Sequence, residues 1–281
     1  MRSKLFVPCS RPDFFGKALA GEADALSFDL EDAVAADVKQ AARERLVELL
    51  RSDRAASSNK RMIVRVNAPD TPFFTEDLAA LASVRIDIVN IPKTESPAAV
   101  RDVAAQMDAL GLAADLLVNI ETARGRAQAE AIADAHPRVV GLQAGLNDLF
   151  APLGIDRYDS RHVHAALWSI RLAAGDAGRF AYDGAWPDLG DEDGFRAEAA
   201  LARSLGFLGK SCIHPRQVAI ANSVFGDNPA VLAEARRIVA AAREAEAAGR
   251  GAFRLAGRMI DRPMVARAEA LLAADRMEGG G

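Results

Sequence analysis

The chain has 281 residues and a mass of 29.9 kDa, a size typical of a single (β/α)8 barrel. Half of its residues are hydrophobic (50%) and 26% are charged, as in an ordinary globular protein with a sizeable core. The 35 basic and 39 acidic side chains give a net charge of −4 without a basic cluster, which argues against a nucleic-acid or anionic-membrane surface.

The sequence predicts neither a membrane span nor a secretory signal. No apolar run approaches the roughly 18 residues of a membrane span, and the apolar N-terminal stretch ends at Pro8, too early for a secretory signal. Cys9 and Cys212 are too few for a disulfide framework or a metal cluster, and we expect both to pack in the core. These features predict a cytoplasmic protein.

Short segments rich in β-forming residues alternate with longer amphipathic segments up to about residue 225. One connecting helix begins at Ser96 and Pro97, an N-cap followed by a first-turn proline, and ends at Gly111; another covers 191–205 and ends at Gly206. Strands that alternate with helices pair in parallel. Eight such units predict an α/β fold, a closed (β/α)8 TIM barrel. The candidate strands cover residues 4–9, 25–32, 62–67, 86–93, 115–122, 139–148, 179–186 and 208–214.

The C-terminal residues predict a helical extension or lid. A long helix begins at Pro229, a glycine-interrupted segment follows, and a last helix begins at Pro263. We therefore expect two parts, the barrel at 1–225 and the extension at 226–281. The extension is too short to bury a core of its own, so we expect it to pack on the barrel or on a neighbouring subunit.

Strand alternation predicts which side chains face the barrel lumen. Side chains alternate along a strand, and the outer face must be apolar because helices cover it. The more polar set should face the lumen, with its charges near the carboxyl ends of the strands, where barrel active sites form. The expected lumen sets are Ser27, Asp29 and Glu31; Ile63, Arg65 and Asn67; Val89, Ile91 and Lys93; Leu117, Asn119 and Glu121; Leu142, Ala144, Leu146 and Asp148; and Lys210, Cys212 and His214.

Two carboxylates of these sets, Glu121 and Asp148, offer hard oxygen ligands of the kind that Mg2+ prefers. Arg65, on a third strand, is placed to stabilise a negatively charged oxygen. The alternative for any one of these residues is a salt bridge at the rim, but their convergence on one mouth favours a site. Lys93 and Lys210 could each form a Schiff base, although a role as charge partners of the carboxylates fits both better.

Seven groups of short motifs, taken in chain order, resemble one known family. They resemble the citrate lyase β-subunit-like (HpcH/HpaI aldolase) family, which includes malyl-CoA and citramalyl-CoA lyases, and they span nearly the whole chain. Two further segments, Asp70-Thr71-Pro72-Phe73-Phe74 and Gly194-Phe195-Arg196, are most similar to the malyl-CoA lyase branch. The seven groups are Leu5-Phe6-Val7-Pro8 with Arg11-Pro12, Asp29-Leu30-Glu31-Asp32-Ala33-Val34, Val64-Arg65-Val66-Asn67, Ile91-Pro92-Lys93, Ile120-Glu121-Thr122-Ala123-Arg124-Gly125, Gly209-Lys210 with Ile213-His214-Pro215, and Met259-Ile260-Asp261.

The resemblance implies a (β/α)8 barrel that forms trimers or hexamers and binds Mg2+ through Glu121 and Asp148. It implies Arg65 as the substrate arginine and Asp261, delivered by the neighbouring subunit, as the acid/base. One departure is that the family often reads Gly-Ala-Glu-Asp where this chain has an amide, Asn147, in place of the glutamate. We expect the substrate to contact Arg65, Glu121, Gly145, Leu146 and Asn147, with Asp29, Glu31, Asp32 and Lys93 as supporting lumen charges.

Asp261 lies in a predicted turn between a glycine-interrupted segment and Pro263. We expect Met259 and Ile260 to anchor this turn as a lid that excludes water from the site. The alternative is a surface salt bridge with a flanking arginine, an interaction that contributes little to stability.

The predicted activity is Mg2+-dependent cleavage of a 3-hydroxyacyl-CoA, such as malyl-CoA or citramalyl-CoA, into an acyl-CoA and a 2-oxo acid, or the reverse Claisen condensation. Three alternatives stay open. The first is a class II aldolase that acts on free 2-oxo acids without CoA, and the second is a Schiff-base aldolase that uses Lys93 or Lys210. The third is an accessory subunit of a multi-protein lyase that needs an acyl-carrier partner.

Overall fold

The computed structural model of the protein describes residues 1–226, 229–247 and 251–278. Eight parallel strands stand in the order β7-β6-β5-β4-β3-β2-β1-β8. Backbone hydrogen bonds from Asp183 N to Gly209 O at 2.9 Å and from Ser211 N to Asp183 O at 3.1 Å join the two ends of this order. The predicted (β/α)8 barrel is therefore confirmed. The strands are Ser3–Pro8 (β1), Ala25–Asp29 (β2), Arg61–Arg65 (β3), Ile88–Ile91 (β4), Asp115–Ile120 (β5), Val139–Ala144 (β6), Phe180–Tyr182 (β7) and Lys210–Cys212 (β8).

Helices follow the strands. The two helices that the sequence predicts at 96–111 and 191–205 each begin with a side-chain N-cap. Ser96 Oγ accepts a hydrogen bond from Ala99 N at 3.2 Å, and Asp191 Oδ1 accepts one from Gly194 N at 2.8 Å. No helix in the described residues is long and apolar enough to cross a membrane. The helices of the barrel are Phe15–Ala20 (α1), Lys39–Arg51 (α2), Asp53–Ala56 (α3), Phe74–Leu81 (α4), Pro97–Ala109 (α5), Ala123–Ala127 (α6), Ala129–Ala133 (α7), Leu146–Phe150 (α8), Ser160–Asp176 (α9), Glu192–Ser204 (α10) and Pro215–Phe225 (α11).

Two apolar layers lie on opposite faces of the strands. The larger one lies between the strands and the helices and includes Phe28, Val64 and Val118. The smaller one lies within the lumen, and each of its members precedes a polar lumen residue of the same strand by two positions. The polar level of the lumen therefore lies on the side of the carboxyl ends of the strands. The members of this smaller layer are Ala25, Ile63, Ile88 and Leu117.

The chain divides into two compact units, Met1–Phe225 and Gly226–Gly281. In the described part of the second unit, Ala256 (φ 50°) and Gly257 (φ 82°) form the turn of an antiparallel hairpin that the sequence did not predict. Both central residues of such a tight hairpin turn need positive φ. The packing partner of this unit remains a prediction. Its elements are Pro229–Ala247 (α12), Phe253–Leu255 (β9), Arg258–Ile260 (β10) and Arg262–Glu278 (α13), and its small apolar cluster contains Leu232, Ala235, Ile238, Ile260, Ala268 and Leu272.

Candidate active site

A cavity of about 420 Å³ opens at the carboxyl ends of the barrel strands. This is the end of a (β/α)8 barrel at which active sites form. Most of the residues predicted for the site line it together, and Phe6, Asn119 and Gln143 complete the polar and aromatic part of the wall. The predicted residues that line the cavity are Asp29, Asp32, Arg65, Glu121, Gly145, Leu146, Asn147 and Asp148.

Arg65 ends β3 and is held by carboxylates of the neighbouring β2 segment. Its Nε and Nη2 donate to the two oxygens of Asp29 at 2.8 and 2.7 Å, and its Nη1 lies 2.9 Å from Glu31 Oε2. The paired bonds to Asp29 fix the plane of the guanidinium, which also lies 5.1 Å from the centre of the Phe6 ring. Arg65 retains N–H groups beyond those used in these bonds, and it lines the cavity.

Lys93 pairs with the same acidic segment. Its Nζ lies 2.8 Å from Glu31 Oε1 and 3.3 Å from Asp32 Oδ1. Burial alone would lower the pKa of Lys93, but the hydrogen bond to Glu31 and the charges of Glu31 and Asp32 outweigh it and raise that pKa above its ordinary value. A protonated amine is a poor Schiff-base nucleophile. The contacts therefore favour the role of charge partner.

Glu121 follows β5 directly, and the residues after it explain its motif. Thr122 Oγ1 accepts a hydrogen bond from Gly125 N at 3.0 Å and so caps α6. A Cβ on Gly125 would lie 2.4 Å from Thr94 O, so only glycine allows this close approach of the two loops. The motif holds α6 against the loop after β4 and places Glu121 at the cavity.

The Glu121 carboxylate is buried and accepts two hydrogen bonds. Lys93 N donates to Oε1 at 2.6 Å, and Asn119 Nδ2 donates to Oε2 at 3.1 Å. Asn119 is oriented in turn by Asn90 Nδ2, which donates to its Oδ1 at 2.7 Å. Burial raises the pKa of Glu121 to about 7 against the opposing Lys93 hydrogen bond, and the negative charge of Glu31 adds to the increase. A positive charge in the cavity would remove this penalty.

Asp148 reaches the cavity by a route that differs from the prediction. The sequence predicts a strand through 139–148, but β6 ends at Ala144, and Asp148 lies, exposed, in the first turn of α8. The turn packs closely on the other carboxylate, because a Cβ on Gly145 would lie 2.3 Å from Glu121 Cβ. Leu146 also lies in this helix rather than on a strand face.

The lumen positions predicted on β4 and β6 themselves were wrong. Asn90 and Gln143 face the lumen, whereas Val89, Ile91, Leu142 and Ala144 belong to the apolar layer under the helices. The prediction assumed that side chains alternate along β4 and β6 as far as Lys93 and Asp148, but alternation holds only inside an extended strand. Both charged residues lie beyond the strand ends, Lys93 with a left-handed backbone (φ 49°) and Asp148 in a helix.

The predicted lumen positions of Lys210 and Asn67 were also wrong. Lys210 Nζ lies 2.7 Å from Glu198 Oε1 on α10, which packs outside the barrel, and 2.6 Å from Asp183 Oδ2. The Asn67 amide donates to Asp77 Oδ2 on α4 at 2.7 Å. Burial would lower the pKa of Lys210, but the two carboxylates raise it above its ordinary value, which disfavours a Schiff base.

Two further predicted lumen residues lie elsewhere. Cys212 packs in the apolar layer under the helices as a free, buried thiol, as does Cys9. His214 lies beyond the end of β8, where its Nδ1 accepts a hydrogen bond from Arg216 N at 3.2 Å. This contact is structural.

Sequence reasoning missed the polar residues of β1. Lys4 is fully buried, donates to Gln143 Oε1, and places its Nζ 4.6 Å from the Phe6 ring centre and 5.4 Å from that of Tyr182. Burial lowers the pKa of Lys4 well below its ordinary value. The alternation of Lys4 and Phe6 with apolar Leu5 would have placed both in the lumen.

Asp261 lies in the second unit, between β10 and α13. Its Oδ1 accepts a hydrogen bond from Met264 N at 3.3 Å, so the exposed carboxylate caps α13. Ile260 is buried within its own unit, whereas Met259 is 70% exposed. The catalytic role of Asp261 stays a prediction.

Comparison with known proteins gives one consistent result. The HpcH/HpaI aldolase/citrate lyase family model matches residues 2–215. The L-malyl-CoA/beta-methylmalyl-CoA lyase of Rhodobacter capsulatus is 38% identical over 96% of this chain and 93% of its own. The (3S)-malyl-CoA thioesterase of Cereibacter sphaeroides strain KD131 is 41% identical over 97% of this chain and 96% of its own.

A solved structure agrees with these relatives. CitE from Mycobacterium tuberculosis, in complex with magnesium, acetoacetate and coenzyme A, is 36% identical, covers 97% of this chain and 98% of its own, and superposes with a TM-score of 0.78. The resemblance predicted from the motifs is confirmed, as is the expectation of a carbon–carbon lyase. The chain belongs to the HpcH/HpaI aldolase/citrate lyase family.

Proposed function

We propose that the protein is a Mg2+-dependent lyase that cleaves a 3-hydroxyacyl-CoA of the malyl-CoA or citramalyl-CoA type into an acyl-CoA and a 2-oxo acid. The observation that carries the proposal is the buried Glu121 carboxylate, which shares one cavity with Asp148 and Arg65. Its raised pKa marks a negative charge that the protein alone leaves incompletely compensated.

The donor set fits Mg2+. Glu121 and Asp148 supply hard carboxylate oxygens, and Mg2+ binds through one or two carboxylates while water and substrate complete its shell. The related CitE structure contains magnesium. Bound between these two residues, Mg2+ would polarise the carbonyl of a 2-oxo acid as a Lewis acid.

The CoA part of the proposal rests on a second cavity. It has a volume of about 520 Å³ and shares Phe6, Pro8 and Ile213 with the first. Leu5, Phe14 and other apolar side chains line most of it, and the exposed cation Lys17 lies at its wall. A mostly apolar cavity beside the first one, lined also by Lys17 and Glu22, suits the pantetheine arm of a CoA ester, and Lys17 suits its phosphates.

The residues of the cavity divide the chemistry among them. Breaking the bond between C2 and C3 moves its electrons into the thioester, and the free N–H groups of Arg65 would stabilise the enolate oxygen. The backbone at Gly145 and the side chains of Leu146 and Asn147 would contact the acid. Asp29 and Glu31 keep the guanidinium oriented for this task.

A proton must leave the hydroxyl on C3 and another must reach C2, which requires an acid/base group. We assign this exchange to Asp261 of a neighbouring subunit, within a trimer or hexamer. A lid that carries the carboxylate would also exclude water from the enolate.

Turnover tests the proposal directly. The purified chain is incubated with malyl-CoA and with citramalyl-CoA, with Mg2+ or with EDTA, and the acyl-CoA, glyoxylate and pyruvate formed are measured. We expect cleavage with Mg2+ and none after chelation, and we expect Glu121→Ala to abolish both cleavage and Mg2+ binding while the protein remains folded. Full activity after rigorous chelation would contradict the metal role, and unfolding of Glu121→Ala would assign Glu121 to structure.

The products separate the alternatives. Free malate without glyoxylate would indicate a thioesterase, the activity named for one relative. Turnover of free 2-oxo acids without a CoA-dependent shift of the melting temperature would indicate a class II aldolase, and borohydride trapping at Lys93 or Lys210 a Schiff-base enzyme. Mg2+ binding without turnover of any CoA ester would indicate an accessory subunit.

A further inference from the structure

Arg157 lies in the segment before α9 and links the cavity wall to a helix. Its Nε donates to Asn147 Oδ1 at 2.8 Å, and its Nη1 and Nη2 donate to the two oxygens of Glu198 at 2.6 and 2.9 Å. Nη2 also donates to Ala185 O at 3.2 Å, and the guanidinium lies 5.2 Å from the Trp186 ring centre. The Arg157 side chain is 10% exposed. Four hydrogen bonds, the contact with the Trp186 ring and near burial hold the guanidinium in a single position.

The carboxylate that holds Arg157 is itself held. Glu198 Oε1 also lies 2.7 Å from Lys210 Nζ, and Lys210 Nζ lies 2.6 Å from Asp183 Oδ2. The four side chains carry two positive and two negative charges, so the network is neutral. Because Lys210 and Asp183 are fully buried, displacement of Arg157 would leave an incompletely paired charge in the interior.

Arg157 determines how the Asn147 amide is oriented. A guanidinium carries only donors, so Asn147 must present its carbonyl oxygen to Arg157 and turn its NH2 group away. Asn147 lines the cavity, where this NH2 group can donate to an oxygen of a bound acid.

The helix that carries Asn147 is held by its apolar side chains Leu146, Leu149 and Phe150, which are buried in the core, and on its polar side by Arg157. α8 has five residues and no side-chain N-cap, and so short a helix is not stable by itself. Within the described chain, the bond from Arg157 is the one side-chain hydrogen bond made to residues 145–148. Asp148 is the next residue, so whatever holds Asn147 also sets the position of Asp148.

We propose that Arg157 is a positioning residue, which orients the Asn147 amide toward the bound 2-oxo acid and keeps Asp148 aligned with Glu121. The part of this inference that concerns the acid rests on the proposed function. The part that concerns Asp148 does not need turnover to be tested.

The test replaces Arg157 by lysine in the full chain, since an ammonium cannot bond Asn147 and both oxygens of Glu198 at once. Mn2+ binding without substrate is measured by electron paramagnetic resonance, and kcat and KM for glyoxylate are measured in the condensation with acetyl-CoA. We expect Arg157→Lys to raise both the Mn2+ Kd and the glyoxylate KM about tenfold, with a smaller change in kcat.

Arg43→Lys is the matched control. Arg43 is similarly buried, with its Nε 2.9 Å from Asp77 and its Nη1 3.0 Å from Glu76, and it does not line the cavity. We expect this variant to lower the melting temperature without changing the Mn2+ Kd or the glyoxylate KM. The same pattern in Arg157→Lys would overturn the proposal, because Arg157 would then be merely structural.

Asn147→Ala completes the experiment. If Arg157 acts on the acid through Asn147, the double variant Arg157→Lys/Asn147→Ala has the same glyoxylate KM as Asn147→Ala alone. If the two effects on the glyoxylate KM multiply instead, they are independent, and the claim that Arg157 orients Asn147 toward the acid is overturned. A wild-type protein that binds Mn2+ but cleaves no thioester would refute the proposed function and leave the Mn2+ comparison as the test. A wild-type protein that does neither would overturn both proposals.

Discussion

Glu121→Gln keeps the shape of the buried side chain and removes its charge. The pKa of Glu121 rises from 4.5 to about 7 because of burial and neighbouring carboxylates. The folded protein therefore keeps this proton over a pH range in which the unfolded chain has lost it. The stability of the metal-free protein falls as the pH rises from 4.5 to about 7 and no longer changes above that, a total of about 3 kcal/mol for this group.

The glutamine variant lacks this penalty. At pH 5 the wild type carries about 1 kcal/mol of it and at pH 8 about 3 kcal/mol, so the variant should gain about 2 kcal/mol relative to the wild type between these pH values. For a chain of this size the gain corresponds to about 4–8 °C in melting temperature. The glutamine NH2 group faces the donor Asn119 Nδ2 and loses one hydrogen bond, but this loss is the same at both pH values and cancels.

Calorimetry in EDTA at pH 5 and pH 8 measures the difference, with Glu95→Gln as the control. The Glu95 side chain is 43% exposed, in the loop after β4, and its replacement should act alike at both pH values. Adding Mg2+ at pH 8 should raise the melting temperature of the wild type and leave Glu121→Gln unchanged. An effect of Glu121→Gln that is equal at both pH values would refute the reasoning, since Glu121 would then ionise as an exposed carboxyl does.

Three further experiments test the geometry of the site. Gly145→Ala forces a Cβ to within 2.3 Å of Glu121 Cβ, so kcat/KM should fall by about 100-fold or more; wild-type kinetics would show that the turn can move. Arg65→Lys cannot keep the two bonds to Asp29 and should lower kcat/KM by about 100-fold or more, which retained turnover would contradict. Asp261→Asn and Arg65→Ala should each be inactive, and mixing them should restore activity; verified subunit exchange without recovery would mean that Asp261 acts within its own chain or not at all.

Strand alternation predicted the lumen position of a side chain well where the strand extends to it. Arg65 ends β3 and Glu121 directly follows β5, so strand alternation placed both in the cavity. It failed for the neighbours of Lys93 and Asp148, because both residues lie past a strand end, where the backbone turns and parity no longer applies. The residue at which each of these strands ends could not be predicted, because the apolar residues there suit a strand and a helix equally well.

The hydrogen bonds of Arg157 could not be predicted from any local sequence pattern. It lies outside the regular helices and strands, and its partners Asn147 and Glu198 are 10 and 41 residues away. Side-chain periodicity describes only neighbours within one element, so a bond of this kind becomes visible only when the barrel brings the loops together. The lumen position predicted for Lys210 was wrong for a related reason, because its partners lie at the end of another strand and on a covering helix.

The seam between β7 and β8 has a consequence for the internal motions of the barrel. Each of these strands has three residues, whereas β1, β2, β3, β5 and β6 have five or six. Only a few backbone hydrogen bonds therefore join β7 to β8. Few backbone hydrogen bonds resist the opening of so short a pairing, so the rate of amide exchange with deuterium at this junction should depend on the side chains that cross it. Lys210 bonds Asp183 on one side of the seam and Glu198 on the covering helix, so each such opening must first separate buried charges. The ion network therefore raises the free energy that is needed to separate β7 from β8.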